Sequence, residues 1–193
     1  MGPLGPREEI AAVLAETGCV LRPDPARGGF YLVDCPSYVA RAQALDAMAW
    51  RDALHDGAVR LLALELCRGL QRLDPESIAR EIHAAVRDQV RYVGEAGDMV
   101  QDPIVTWYER AGDCDCHARL VLALLRSMGV PAVLVGFEVP NTGEGGPQVR
   151  HAVATWERAP GDCVWMETTL GAAFGEHPIA AARRLFAGRA DLR

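Results

Sequence analysis

Residues 112–118 read Gly-Asp-Cys-Asp-Cys-His-Ala and open a long apolar helix, which decides the fold. The helix is predicted from about Cys114 to Met128 and is apolar on almost every side, so we expect it to be central and buried. Gly129 favours its end, and Pro131 prevents its continuation. A cysteine in the first turn of such a helix is unusual, because the unpaired N–H groups and the helix dipole favour its thiolate.

A histidine and an acid follow this cysteine in the chain order of papain-like nucleophile systems. His151 heads a predicted strand over residues 151–156, and Glu167 lies in the next predicted strand, over residues 164–169. An antiparallel neighbour can bring the carboxylate to the imidazole, fix its tautomer and stabilise imidazolium. We therefore interpret Cys114 as a nucleophile, His151 as its general base and acid, and Glu167 as the orienting acid.

An acyl-transfer site also needs hydrogen-bond donors for the oxyanion. The backbone N–H of Cys114 is one candidate, and Gln101 and Trp107, upstream in the sequence, are candidates for the second. Asp113 suits the N-cap of the helix, but the charges of Asp113 and Asp115 oppose a low thiol pKa.

Other interpretations of the same cluster stay open. His117 is the alternative base if His151 faces away from Cys114. Cys114, Cys116 and His117 carry metal-ligand chemistry, with His151, Cys163 and His177 as distant partners, but their spacing departs from the usual zinc pattern. A Cys114–Cys116 disulfide is disfavoured, because a helix separates these side chains by roughly 200°. We therefore predict neither a metal nor another cofactor.

Composition limits the classes of protein that fit. The chain has 193 residues, half of them hydrophobic, so one domain with a sizeable core is expected. The net charge of -6 argues against a nucleic-acid partner, and no apolar run approaches the ~20 residues that span a bilayer. No secretory signal is visible, and the six cysteines show no paired spacing. We therefore expect a cytoplasmic protein whose thiols are mostly small buried side chains.

The order of predicted elements gives the architecture, with helices first and an antiparallel sheet after the cysteine helix. This is an α+β fold with an N-terminal extension over residues 1–36 and a catalytic domain over 37–193, whose front part is helical. The extension is predicted to hold a helix over 6–17 and a hairpin of strands 19–22 and 30–33. Helices capped by Ser37 (to residue 54), Asp56 (to 70) and Asp74 follow, and then extended or irregular chain over 98–107, broken by Pro103. After the cysteine helix, the predicted elements include a strand over 132–139, a glycine-rich turn over 140–147 and a helix over 178–188.

The cysteine segment and the helix exit at residues 124–132, Leu-Leu-Arg-Ser-Met-Gly-Val-Pro-Ala, resemble the core of the transglutaminase-like superfamily. Residues 90–93 and 100–103 are similar to its bacterial and phage-associated branch. The resemblance implies a papain-like α+β core and a Cys-His-Asp triad, carried here by Cys114, His151 and Glu167. The chain departs from the pattern in having Glu167 for Asp, and Cys116 where that branch has a second Asp.

The transglutaminase-like superfamily contains proteins with several different reactions. The superfamily includes protein crosslinking enzymes, amide hydrolases and inactive domains, so the fold does not choose among them. We predict a cysteine hydrolase, a protease or amidase, acting through a thioester on a peptide or protein substrate. The alternatives are acyl transfer to an amine and an inactive interaction module. Residues 140–147 are a candidate lid or substrate loop, and the sequence leaves the oligomeric state open.

Overall fold

A computed structural model of the chain describes residues 14–94, 99–139 and 149–187. The helices are α1 (Tyr38–His55), α2 (Gly57–Leu66), α3 (Pro75–Gln89), α4 (Pro103–Glu109), α5 (Cys114–Ser127) and α6 (Pro178–Ala187). The strands are β1 (Val20–Pro23), β2 (Phe30–Asp34), β3 (Arg91–Tyr92), β4 (Met99–Gln101), β5 (Ala111–Gly112), β6 (Ala132–Val139), β7 (Val149–Ala159) and β8 (Asp162–Met166). An antiparallel sheet follows a largely helical front part, so the predicted α+β class is confirmed.

Helices α1, α2, α3 and α5 begin at the caps that the sequence predicts. Side-chain oxygens of Ser37, Asp56 and Asp74 accept hydrogen bonds from backbone N–H groups in the first turns of α1, α2 and α3. Asp113 does the same for α5, accepting from the N–H of Cys116 at 3.0 Å. Each such cap stabilises its helix by about 1 kcal/mol. These local signals therefore fix where the cysteine helix starts, and with it the position of Cys114.

Helix α5 is the centre of the main hydrophobic core. Leu120, Leu122, Leu124 and Leu125 are fully buried and lie on all sides of the helix. Helices α1 to α4 and strands β6 and β7 pack around it. Each leucine contributes about 2 kcal/mol by leaving water. The expectation of a central buried helix is confirmed, and its N-terminus is held against the sheet.

The sheet beside α5 has the strand order β6-β7-β8 and is antiparallel. In its register, Phe137 of β6 pairs with His151 of β7, and Gly136 pairs with Ala152. Helix α5 packs against β7, and the backbone N–H of Ala152, near the start of that strand, bonds to Cys114 at the start of the helix. The fold thus brings together two segments that are 37 residues apart in sequence, counting from Cys114 to His151.

The N-terminal hairpin joins the rest of the fold through a second sheet, of order β1-β2-β4. Phe30 of β2 pairs with Gln101 of β4. A disulfide links Cys19 and Cys35 across the hairpin, so these two of the six cysteines are not free thiols. The division into an extension over residues 1–36 and a domain over 37–193 stays a prediction, and strand pairing crosses its boundary.

The observed elements depart from the predicted ones at several ends. Helix α2 stops at Leu66 and continues as a 3-10 turn over Cys67–Gly69 rather than as one helix to residue 70. Pro103, predicted to interrupt extended chain, instead opens α4, where its missing N–H costs nothing. Strand β8 ends at Met166, so Glu167 follows the strand and is not part of it.

Some predicted features fall wholly or partly outside the description. The N-terminal helix is described only at residues 14–17, which are helical, and its residues 6–13 lie outside the described ranges. The glycine-rich segment 140–147 and residue 188 of the last predicted helix also lie outside them. Of the helices in the described ranges, none combines the length and the apolar character needed to cross a membrane.

Candidate active site

Cys114 is the first residue of α5 and is partly exposed. Its thiol donates to the neighbouring Asp115 Oδ1 at 3.8 Å. Burial raises the pKa of Cys114 well above its ordinary value, and the charges of Asp115 and Asp113 raise it further. Hydrogen bonds from the backbone N–H groups of Ala152 and Asp115 lower this pKa, but they do not outweigh the other effects. Burial and the two aspartates therefore oppose a resting thiolate at Cys114, and the expected thiolate stays a prediction.

His151 and Glu167 form a buried pair. The ring Nε2 of His151 lies 2.5 Å from Oε2 of Glu167, and the two residues are 8% and 1% exposed. The other oxygen of the carboxylate, Oε1, accepts from the backbone N–H and the hydroxyl of Thr169 at 2.6 and 2.7 Å. Burial would raise the pKa of Glu167, but the bonds from His151 and Thr169 outweigh it and lower the pKa. The acid is thus ionised and rigidly held.

Cys114 lies beside the histidine strand. The backbone N–H that lowers the pKa of the Cys114 thiol belongs to Ala152, the residue directly after His151. Because Nε2 of His151 is held by Glu167, Nδ1 is the ring nitrogen that can exchange a proton with a sulfur. The ring is also held by Phe137, whose edge meets it with 5.3 Å between centroids. The arrangement therefore places the thiol beside the strand that carries an oriented imidazole.

A second buried histidine, His83, supports the acid and was missed in the sequence. Its Nε2 donates to the backbone oxygen of Glu167 at 2.8 Å. Burial lowers the pKa of His83, so the ring is neutral, and Phe174 packs against it. In sequence, His83 lies on the amphipathic helix α3 without any motif around it. The only sequence signal for His83 is its position on the core-facing side of helix α3.

His117, the alternative base, lies close to the same acid but is engaged elsewhere. Its Nδ1 is 2.9 Å from the hydroxyl of Thr168. Burial lowers the pKa of His117 to about 4, and the nearby Glu167 only partly offsets this effect. A ring with so low a pKa is a weak proton acceptor, which supports His151 over His117 as the base.

The two candidate oxyanion donors lie on segments that pack against α5. Gln101 ends β4, is buried, and donates its backbone N–H to the sulfur of Cys116 at 3.4 Å. Trp107 of α4 lies in the main core, and the guanidinium of Arg110 lies 3.9 Å from the centroid of its ring. Their role in an oxyanion hole stays a prediction.

Asp115 is tied to the front part of the molecule. Arg41 of α1 binds it with 2.6 Å between Nε and Oδ2, and both side chains are buried. The same guanidinium donates to the carbonyl of Val33 in β2 at 3.0 Å. One arginine therefore connects the N-terminal hairpin to the residue after the candidate nucleophile.

The metal interpretation finds no support in the described part of the chain, where no three His, Cys, Asp or Glu side chains form a group able to hold an ion. His177, one of the proposed distant ligands, packs instead against Trp165 with 4.7 Å between ring centroids. Cys163 is exposed, and Cys114 and Cys116 remain separate thiols.

The chain is similar in sequence to one family of known proteins. The profile of the transglutaminase-like superfamily matches residues 65–169, more than half of the chain, and this span includes the cysteine, the histidine and the acid. No curated protein matches the chain. A solved structure of a putative protease from Parabacteroides distasonis is similar at 14% identity and a TM-score of 0.49, covering 71% of this chain and 28% of that protein. The chain thus spans little more than a quarter of that protein's length. On the profile match over more than half of its residues, the chain belongs to the transglutaminase-like superfamily.

Proposed function

We propose that the protein is a cysteine-dependent amide hydrolase, a protease or amidase, with Cys114 as nucleophile, His151 as general base and acid, and Glu167 as the orienting carboxylate. The observation that carries the proposal is the buried His151–Glu167 pair at 2.5 Å, beside the backbone N–H that faces the Cys114 sulfur. Thr169 holds the far side of the ionised carboxylate, so Glu167 is fixed where it can orient the His151 ring.

The raised pKa of Cys114 supports a mechanism in which the thiol gives up its proton during the attack. As the sulfur attacks the carbonyl carbon of the substrate, its proton passes to Nδ1 of His151, and Glu167 stabilises the imidazolium. The backbone N–H of Cys114 and a donor from Gln101 or Trp107 hold the oxyanion. His151 then protonates the leaving amine, the C–N bond breaks, and a thioester remains on Cys114.

Water completes the cycle. His151 takes a proton from the water as its oxygen attacks the thioester, and the Cys114 sulfur leaves and recovers a proton. An amine in place of water would give acyl transfer instead, which is the alternative reaction of the same thioester. If no thioester forms, the remaining alternative is an inactive interaction module.

The Glu167 side chain is compatible with a role that the family resemblance gives to Asp. Its extra methylene is accommodated because the residue follows the end of β8, where the chain turns and Thr169 and Leu170 donate to Oε1. The hydrogen bonds to Oε1 therefore hold the Glu167 carboxylate in place despite its longer side chain.

The bacterial, phage-associated branch and a cytoplasmic location are proposed on the resemblance and the sequence alone. The Cys19–Cys35 disulfide weighs against the location, because such bonds persist mainly in oxidising compartments. A peptide or protein substrate is proposed on the same grounds as the reaction.

The test is incubation of the full chain with a peptide library, with and without a fluorescent primary amine, followed by mass spectrometry. We expect cleaved amides, lost completely in Cys114→Ala and in His151→Ala, with the Cys163→Ala variant as a control that removes an exposed thiol away from the site. Incorporation of the amine in place of cleavage would establish acyl transfer. Products that persist in Cys114→Ala would refute the nucleophile, and no product with any variant would favour the interaction module.

A further inference from the structure

The Cys19–Cys35 disulfide closes the hairpin of β1 and β2 at the end from which the chain continues to α1. Cys19 directly precedes β1, and Cys35 directly follows β2. Ser37, whose side chain caps α1, comes shortly afterwards. Cys19 is buried, whereas Cys35 is partly exposed, so Cys35 is the side from which a thiolate can approach the bond.

A chain of direct contacts runs from this end of the hairpin to the candidate nucleophile. The carbonyl of Val33, in β2, accepts from Nη1 of Arg41 at 3.0 Å. The Nε of the same guanidinium donates to Oδ2 of Asp115 at 2.6 Å. The other oxygen of that carboxylate, Oδ1, accepts from the Cys114 thiol at 3.8 Å. The position of Val33 therefore bears on the charge beside Cys114 through one arginine.

The hairpin also reaches the cysteine helix through its neighbouring strand. Phe30 of β2 pairs with Gln101 of β4, whose backbone N–H donates to the sulfur of Cys116 at 3.4 Å. The two routes end at neighbouring residues of the first turn of α5, Asp115 and Cys116. The hairpin thus contributes to the support of this turn at two points.

The end of β2 that holds Arg41 depends on β1. Strand β4 pairs with β2 only at Phe30–Leu32, whereas Val33 pairs with Leu21 of β1. β1 is an outer strand of its sheet, and its residues are largely exposed, so little burial holds it in place. The crosslink excludes open conformations of the hairpin, and its loss makes local opening more frequent. The disulfide therefore secures the strand that supports Val33.

We propose that the Cys19–Cys35 disulfide is a redox switch of the candidate active site, which keeps Cys114 reactive while intact and makes it less reactive once a dithiol has reduced it. The inference rests on the proposed function and names a regulation of the same site. A thiolate of the dithiol attacks Sγ of Cys35, the S–S bond breaks, and Cys19 leaves and takes up a proton. The second thiol of the dithiol then displaces Cys35, so the dithiol becomes a cyclic disulfide and the protein gains two thiols.

The direction of the effect follows from charge. Asp115 opposes the thiolate of Cys114, and the paired Arg41 moderates that carboxylate. When β1 opens and the Val33 carbonyl no longer holds the guanidinium, Arg41 pairs with Asp115 less of the time. The carboxylate is then less compensated and the thiolate is less favoured. Asp113, which caps α5, lies outside this route and keeps its effect in both states.

The test compares the oxidised full chain with the same chain reduced by dithiothreitol and desalted without air. The measured quantity is the second-order rate constant of iodoacetamide labelling at pH 8.5, mapped by mass spectrometry. We expect reduction to slow Cys114 at least threefold and to leave the exposed Cys163 unchanged. The double variant C19S/C35S should show the slow rate under both conditions. A difference of less than threefold, or faster labelling after reduction, would overturn the proposal.

Arginine variants test the route. In Arg41→Gln the contact with Asp115 is gone, so we expect slow Cys114 labelling whose rate no longer depends on reduction. Arg22→Gln makes the same change at an exposed arginine of β1, where only a surface pair with Asp34 is lost, and should keep the full redox effect. If Arg41→Gln does not fold, Asp115→Asn carries the same test, because it removes the charge that Arg41 moderates. A redox effect that persists undiminished in the variant tested would refute the route.

Hydrogen exchange separates this proposal from the proposed function, because it needs no reaction at Cys114. We expect reduction of the wild-type chain to speed amide exchange at least tenfold at β1 and Val33 and measurably in the first turn of α5. Exchange that changes only in β1 would overturn the coupling, even if the protein cleaves peptides. Redox-dependent exchange and labelling without any cleaved peptide would refute only the hydrolase.

Discussion

His83 and Glu167 are joined through the backbone, with 2.8 Å between Nε2 of the histidine and the carbonyl oxygen of the acid. Helix α3 therefore positions the residue that orients His151. We expect His83→Phe to lower kcat about tenfold with little change in KM, because the acid shifts while the packing against Phe174 is kept. His83→Gln retains an N–H donor and should restore most of the loss. Equal kcat values for the two variants would show that His83 acts only through packing and not through its hydrogen bond to Glu167.

The Cys114 thiol should react slowly at acidic pH. Because its pKa is raised by burial and by Asp115 and Asp113, we expect slow iodoacetamide labelling at pH 6 and 7 and a rate that still increases above pH 9. Site-mapped labelling across pH measures this directly, with the exposed Cys163 as an internal reference. Fast labelling of Cys114 alone at pH 6, abolished in His151→Ala, would instead establish a resting thiolate–imidazolium pair.

Removing the charge of Asp115 should activate the thiol. In Asp115→Asn a negative charge beside Cys114 is lost, so the pKa of the thiol falls and labelling at pH 7 becomes faster. The same change weakens the buried contact with Arg41, and we expect a loss of a few kcal/mol in the free energy of unfolding. Asp162→Asn, at an exposed residue of β8, is the matched control. An unchanged labelling rate in Asp115→Asn would show that its charge does not govern the thiol.

Stability should decline in acid because of His117. Burial lowers the pKa of His117 from an ordinary 6.5 to about 4, so between these values the unfolded chain binds a proton that the folded chain does not. The free energy of unfolding therefore falls as pH decreases from 6.5 to 4, by about 3 kcal/mol from this residue. Urea denaturation at both pH values measures the effect, and His117→Gln should reduce it. The same pH dependence in His117→Gln would assign the effect to other groups.

Arg119 should be needed for folding stability. It is fully buried in α5 and binds Asp52 through Nε at 2.7 Å and Asp102 through Nη2 at 2.9 Å. Arg119→Met leaves these two carboxylates without their shared cation, and we expect a loss of about 3–5 kcal/mol in the free energy of unfolding. The exposed Arg158→Met, which breaks only a surface pair with Asp162, should cost less than about 1 kcal/mol. Chemical denaturation of both variants checks the difference.

The features that the sequence predicted well are those with local causes. Helix α5 was predicted over 114–128 and is observed as Cys114–Ser127, because a cap, an apolar run and a glycine–proline exit all lie within it. The same holds for the caps at Ser37 and Asp74, each of which is fixed by its own next three residues.

The features that were missed depend on contacts distant in sequence. The Cys19–Cys35 disulfide requires the hairpin register, which the spacing of cysteines alone does not give. The position of Glu167 after β8, and not within it, depends on the turn that brings Thr169 to its carboxylate. His83 reaches Glu167 across 84 positions of sequence, and no pattern in α3 marks that contact. Cys114, His151 and Glu167 themselves stay a prediction until their variants are measured.

The burial of α5 on every side also has a consequence for how this protein can change. Any substitution within residues 115–127 meets several neighbouring elements at once, so variants there lose stability before they gain a new preference. Helix α1 differs, because its residues Val39, Gln43 and Trp50 are exposed and are not enclosed by neighbouring elements in this way. Laboratory evolution of this protein should therefore vary these exposed positions of α1 and leave the cysteine helix untouched.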